Sequence, residues 1–192
     1  MKKRIVILAS GSGTNTQNIL EYFQQGDFAE VVLVLSNKIN AKVLDRAKAF
    51  HTNASSFTKE ELISEEGVLK SLKIMKPDLI VLAGFLLKIP PIILAEFPDK
   101  VINIHPALLP KYGGKGMYGA SVHEAVVANN ETESGITIHY VNEKYDEGAI
   151  IFQESVTISE EDSPADVAAK VHELEYDHFP RVIENILRSE KN

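Results

Sequence analysis

The residues best suited to chemistry lie in Val101-Ile102-Asn103-Ile104-His105-Pro106. In an extended strand Asn103 and His105 are two apart and face one side, while Ile102 and Ile104 face the other. Pro106 keeps His105 extended and ends the strand. A carboxamide can donate to a developing oxyanion, and an imidazole can move a proton near neutral pH. The same two groups could equally be satisfied polar side chains at a sheet edge. Asp146, in Tyr145-Asp146-Glu147-Gly148, occupies a turn of the kind that is usually just solvated. Set against His105, its carboxylate would fix the ring's tautomer and raise its pKa by favouring the imidazolium. Spacing alone does not bring the two together.

A second candidate is Ser10-Gly11-Ser12-Gly13-Thr14-Asn15. Its backbone N–H groups, at the start of a helix, would favour an anion. The dinucleotide fingerprint is incomplete: position 16 is Thr, and the second strand ends Ser36-Asn37-Lys38 without an acid for a ribose hydroxyl. The loop therefore reads as a phosphate cradle for a mononucleotide-sized ligand, or as a plain tight turn. Other chemistries lack their residues. Gly114-Lys115 is followed by Gly116 and would need a glycine at Leu109 for a nucleotide-triphosphate loop. His123-Glu124 has Val127 where a zinc protease needs histidine, and no Gly-x-Ser-x-Gly elbow exists. His172, Glu175 and His178 spread over about 120° of one helix, a poor geometry for a shared metal.

These residues need a scaffold, and the chain alternates strand and helix. Arg4–Ala9, Val31–Ser36, Asp78–Ala83 and Val101–Ile104 read as buried strands, and Ala54–Phe57 as a weak one. Helices are expected over Thr16–Gln25, Ala41–Phe50 and Lys59–Lys76, the last stopped by Pro77. That succession predicts an α/β fold: an open, mostly parallel twisted sheet, Rossmann-like, with helices on both faces. Ile136–Val141 and Ala149–Ile158 read as an antiparallel pair. A long helix follows, with Ser163 as cap, Pro164 first and Asp166 in the opening turn. Val167, Val171, Leu174, Val182 and Ile186 would line its inner face.

The 192 residues carry a net charge of −7, 44% hydrophobic and 24% charged residues, and no cysteine. That excludes disulfides, thiolate catalysis and sulfur-bound zinc, and argues against a nucleic-acid or anionic-membrane surface. The apolar run after Lys2-Lys3-Arg4 passes straight into glycines, which suits a first strand better than a signal peptide. No stretch reaches the roughly 20 apolar residues of a membrane span. A single domain in the cytoplasm is expected.

Taken together the chain resembles the phosphoribosylglycinamide formyltransferase family, the folate-dependent transformylases of purine synthesis. Three blocks carry the likeness: Gly11-Ser12-Gly13-Thr14-Asn15, Asn103-Ile104-His105-Pro106-Ala107-Leu108-Leu109-Pro110-Lys111-Tyr112, and Asp146-Glu147-Gly148. It runs in order from about residue 3 to 187 and implies one domain over 1–192, with about 1–105 as the nucleotide- and phosphate-binding half and about 106–192 as the folate-binding and catalytic half. The resemblance implies glycinamide ribonucleotide and 10-formyltetrahydrofolate as substrates, with no metal. It implies Asn103, His105 and Asp146 as the catalytic group, with His105 protonated beside the developing oxyanion. Gly13, Thr14 and Asn15 would meet the substrate phosphate, and Glu175 its glycinamide end. The folate would lie against Leu86, Leu87, Lys88 and Ile89, against Asn103, and against Asn142, Glu143, Lys144, Tyr145 and Asp146. An arginine common in the family is Leu87 here. Gly113-Gly114-Lys115-Gly116-Met117-Tyr118-Gly119 also departs from the family pattern and leaves Lys115 and His123 without a role. Such a loop suits a lid. Leu109-Pro110 is a candidate cis bond. Relatives that formylate methionyl-tRNA would need a further C-terminal domain, and the folate hydrolases an N-terminal one. A non-enzymatic nucleotide-binding module would keep the glycine loop but have no use for Asn103, His105 and Asp146.

Overall fold

The computed structural model describes residues 1–189. Seven strands form one sheet in the order β3-β2-β1-β4-β5-β6-β7. The strands are β1 (Lys3–Leu8), β2 (Ala29–Ser36), β3 (Ala54–Ser56), β4 (Leu79–Leu82), β5 (Val101–His105), β6 (Glu133–Tyr140) and β7 (Ile150–Thr157). The helices are α1 (Thr14–Gln24), α2 (Lys42–Ala49), α3 (Lys59–Ile63), α4 (Lys70–Met75), α5 (Pro91–Glu96), α6 (Ala120–Ala128) and α7 (Pro164–Ser189). Strands β1 to β5 are parallel, and β6 runs antiparallel to both β5 and β7.

The continuous apolar runs have their reason in burial on both faces. Ile5, Val6, Ile7 and Leu8 are all 0% exposed, so alternate residues of β1 enter two separate cores. Ile5 and Ile7 pack with Ile19 and Phe23 of α1, Val43 of α2 and Val171 and Phe179 of α7. Val6 and Leu8 pack with Leu62 and Leu72 of α3 and α4 and Ile93 of α5. From β1 the chain winds outward to β2 and β3; from β4 it winds the other way, to β5. The reversal lies between β1 and β4, and the loops leaving these two strands flank a crevice at their carboxyl ends.

The expected helix over Lys59–Lys76 is broken into α3, a wide turn over Glu65–Leu69 and α4. Ser64 is extended (ψ 143°) and Gly67 is non-helical, with the Glu61 carbonyl so close that a Cβ there would sit 2.0 Å from its oxygen. Helical spacing of Leu62, Val68 and Leu72 could not show that break. Helix α1 begins at Thr14, two residues earlier than Thr16, and helices α5 and α6 had no counterpart in the sequence reading. Strand β6 starts at Glu133 rather than Ile136 because its first residues are polar or glycine.

In α7, the Asp166 N–H donates to Ser163 Oγ (3.3 Å), and the Ser163 N–H donates back to Asp166 Oδ2 (2.9 Å). Val167, Val171, Val182 and Ile186 are buried and Leu174 half-buried, the expected inner face. Pro180 lies inside the helix and has no N–H to give the Tyr176 carbonyl. The Asn18 carboxamide of α1 donates to that carbonyl instead (2.8 Å), which ties α1 to α7.

Candidate active site

A cavity of about 780 Å³ opens at the crevice between the β1 and β4 loops and continues past β5. Gly13 begins the first wall at φ 75°, and a Cβ there would lie 2.4 Å from Val43 Cγ2. Only glycine fits that close, left-handed passage. Among the described residues helix α1 has no side-chain cap and no acid in its first turn, and Thr14 and Asn15, whose N–H groups have no partner within the helix, line the cavity. From α7, Glu175 reaches in at 4% exposure and accepts at one oxygen from Asn15 Nδ2 and from His172 Nδ1, each at 2.8 Å. The bond to Glu175 raises the His172 pKa, outweighing its partial burial. His178 packs against Phe152 instead, with ring centres 4.9 Å apart and planes tilted by 34°, and among the described residues His172, Glu175 and His178 form no group that could hold a metal.

The opposite wall is the end of β5. His105 Nδ1 lies 3.7 Å from Asp146 Oδ2, and His105 Nε2–H donates to the Tyr112 carbonyl at 2.7 Å. Asp146 Oδ2 also accepts from the Gly114 N–H at 2.9 Å. Asp146 Oδ1 lies 3.6 Å from His139 Nε2, and Asn103 Nδ2 is 3.2 Å from the same nitrogen. His139 Nδ1–H in turn donates to the Tyr140 carbonyl (2.9 Å). Asn103, His105 and Asp146 thus meet around a fourth side chain, His139, that the sequence reading did not single out. The register supplies the missing signal: β6 runs beside β5 with His139 directly opposite Asn103. A pairing of Ile136–Val141 with β7 alone hid it.

Burial pushes the His105 pKa below its ordinary value and outweighs the Asp146 carboxylate and the Tyr112 carbonyl, which act the other way. Asp146 does act upward on the ring, as expected, but the net direction is the reverse: at 4% exposure the cost of burying the charge outweighs it, which favours the neutral ring near pH 7. For Asp146, burial pushes the carboxyl up, but His139, His105 and the Gly114 N–H together hold it below the usual carboxylate range. Asp146 stays ionised at an uncommon backbone angle for an L-residue, φ 54°.

Leu86, Leu87, Lys88 and Ile89 border the cavity from the loop after β4, where Gly84 turns the chain at φ 69°. Ile89 is 2% exposed and belongs to the core as well. Asn142, Lys144 and Tyr145 border it from the β6–β7 connection, with Lys88 Nζ 5.9 Å from the Tyr145 ring centre. Glu143 is exposed and does not line it. The glycine-rich segment, with Lys115 and Tyr118, lies along the rim, and the Leu109–Pro110 bond before it is cis. His123 is buried at 3% with no hydrogen-bond partner for Nδ1 among the described residues; burial and the neighbouring His172 push its pKa down.

A sequence profile of the formyl transferase family matches residues 3–183. The chain belongs to the formyl transferase family. It is 38% identical over 186 residues to the phosphoribosylglycinamide formyltransferase of Haemophilus influenzae, covering 94% of this chain and 85% of the relative. The enzyme of that name from Bacillus subtilis is 33% identical over 190 residues, covering 96% and 95%. The crystal structure of the Bacillus halodurans phosphoribosylglycinamide formyltransferase superposes with a TM-score of 0.88 at 34% identity, over 99% of this chain and 98% of that one. The expected fold class is borne out: a mostly parallel sheet, an antiparallel β5-β6-β7 flank and a long final helix. No helix among the described residues is long and apolar enough to cross a membrane.

Proposed function

We propose that this chain transfers the formyl group of 10-formyltetrahydrofolate to the amine of glycinamide ribonucleotide, a step of de novo purine synthesis, as a single cytoplasmic domain. The observation that carries the reading is the meeting of Asn103, His105 and Asp146 in one cavity with the open helix start at Thr14. The cavity's two ends suit the two substrates. Backbone donors at Gly13, Thr14 and Asn15 would hold the phosphate, and the Glu175 carboxylate the glycinamide end. The apolar stretch Leu86–Ile89, with Tyr145 across from it, would take the flat pteridine ring.

The residues divide the work by charge. The Asn103 amide donates to the formyl oxygen as negative charge develops there. Neutral His105, with Nε2–H committed to Tyr112, has Nδ1 free to take the proton that the attacking amine gives up. Asp146 stabilises the imidazolium as it forms, which offsets the burial that keeps the resting ring neutral. His105 then returns the proton to the departing folate nitrogen as the new carbon–nitrogen bond replaces the old one.

Absorbance of the deformylated folate, followed with and without glycinamide ribonucleotide, tests the proposal. Release that requires the ribonucleotide is expected. Release without it would make the chain a hydrolase, and no release under either condition would leave a nucleotide-binding module.

A further inference from the structure

The segment Tyr112–Gly114 lies in no helix or strand, yet its main chain touches both members of the acid–base pair. The Tyr112 carbonyl accepts from His105 Nε2 at 2.7 Å, and two residues later the Gly114 N–H donates to Asp146 Oδ2 at 2.9 Å. The segment is fixed at its start. The Tyr112 hydroxyl donates to Glu131 (2.8 Å) and accepts from Asn129 (3.0 Å), beyond the end of α6. Tyr112 itself is held at φ 56°, outside the usual range for a bulky residue. A Cβ at Gly113 would lie 2.6 Å from the Leu109 side chain and 3.3 Å from Asp146 Cβ, so the chain passes directly against the base of the Asp146 side chain.

We propose that the main chain of Tyr112–Gly114 is a positioning clamp for the catalytic pair, with Gly114 as the positioning residue that keeps the Asp146 carboxylate against His105 Nδ1. The inference rests on the catalytic roles proposed above. Without the Gly114 N–H, Asp146 Oδ2 would keep, among the described residues, only the His105 contact at 3.7 Å, longer than a hydrogen bond. Other charged groups around Asp146 do not replace it. His139 of β6 meets the other oxygen, and Lys144 and Glu147 of the same connection pair with each other at 3.0 Å. Glu175 acts on His105 from α7, and Lys115 reaches the cavity rim.

The loop supplies its own control. Gly114 and Gly116 have nearly the same left-handed φ, 96° and 92°, and neither would place a Cβ within 4 Å of another group. An alanine strains both equally, but only at 114 does the N–H bind Asp146. In Gly114→Ala, kcat is expected to fall about ten- to a hundredfold with KM for both substrates within about threefold. NMR titration of the His105 ring should move to lower pH, in the direction of Asp146→Asn but less far, because the carboxylate that favours the imidazolium is released. In Gly116→Ala the ring titration stays at the parent value. A parental ring titration in Gly114→Ala, or equal shifts in both variants, would overturn the clamp. If Asp146→Asn itself kept parental turnover and titration, the catalytic reading would fail instead. A melting curve for each variant confirms that folded protein is compared.

Discussion

The two flanks of the cavity hold their polar groups by different means. On the α1–α7 flank, side chain binds side chain: Asn15 and His172 both donate to Glu175. On the β5–β6 flank, beside the Asn103–His139 side-chain contact, main chain holds each ionisable side chain: the Tyr112 carbonyl takes His105, the Gly114 N–H takes Asp146, and the Tyr140 carbonyl takes His139. Side-chain partners tune charge and can be exchanged one residue at a time. Main-chain partners fix orientation and depend on backbone angle. The division matches the work proposed for each flank, since binding tolerates small adjustment while proton transfer through His105, with Asp146 held beside it, does not.

The contrast can be tested from the strongest effect downward. Asn103→Ala removes a donor from the catalytic flank and should cost about 10²–10³ in kcat, with KM little changed, by steady-state kinetics. On the other flank, Glu175→Gln should act mainly on KM for the ribonucleotide, by about tenfold or more, because a hydrogen bond to a charged group contributes about 1.5–3 kcal/mol. If that variant lost turnover at saturating substrate instead, the flanks would not divide as described.

How far these features could be read in advance depends on how local they are. The glycine loop, the pairing of Asn103 with His105 and the cap at Ser163 are written in adjacent residues. The β-branched runs also gave the parallel sheet, because two-sided burial leaves a continuous apolar signature. His139 was invisible because its role depends on the β5–β6 register, a pairing across more than thirty residues. The contacts of Tyr112 and Gly114 carry no side-chain signature at all. The charge state of His105 is legible only in part for a related reason: Asp146 acts upward on its pKa, as expected, but the burial that outweighs it is a property of the folded chain.

Stability should also follow pH through the buried rings. His105 and His123 have folded pKa values below the ordinary value of about 6.5, so their contribution is full above it and is lost as the pH falls toward the folded values. His172, raised by Glu175, acts at higher pH: its contribution is full below about 6.5 and is lost as the pH rises toward the folded value. The two depressed groups therefore predict a melting temperature that falls as the pH drops from about 6.5 toward 5, with a shallower fall in His123→Leu. A flat or rising curve would contradict the neutral state assigned to His105. The smallest effect belongs to Lys144→Ala, which removes an exposed ion pair with Glu147 and should change stability by under about 1 kcal/mol.

The decisive measurement is the steady-state rate of formyl transfer by Asp146→Asn, with both substrates varied. The substitution keeps size and shape but removes the charge that stabilises protonated His105. A drop of about 10²–10³ in kcat with both KM values nearly unchanged is expected. Turnover equal to that of the parent would show that the carboxylate beside His105 is only part of a turn.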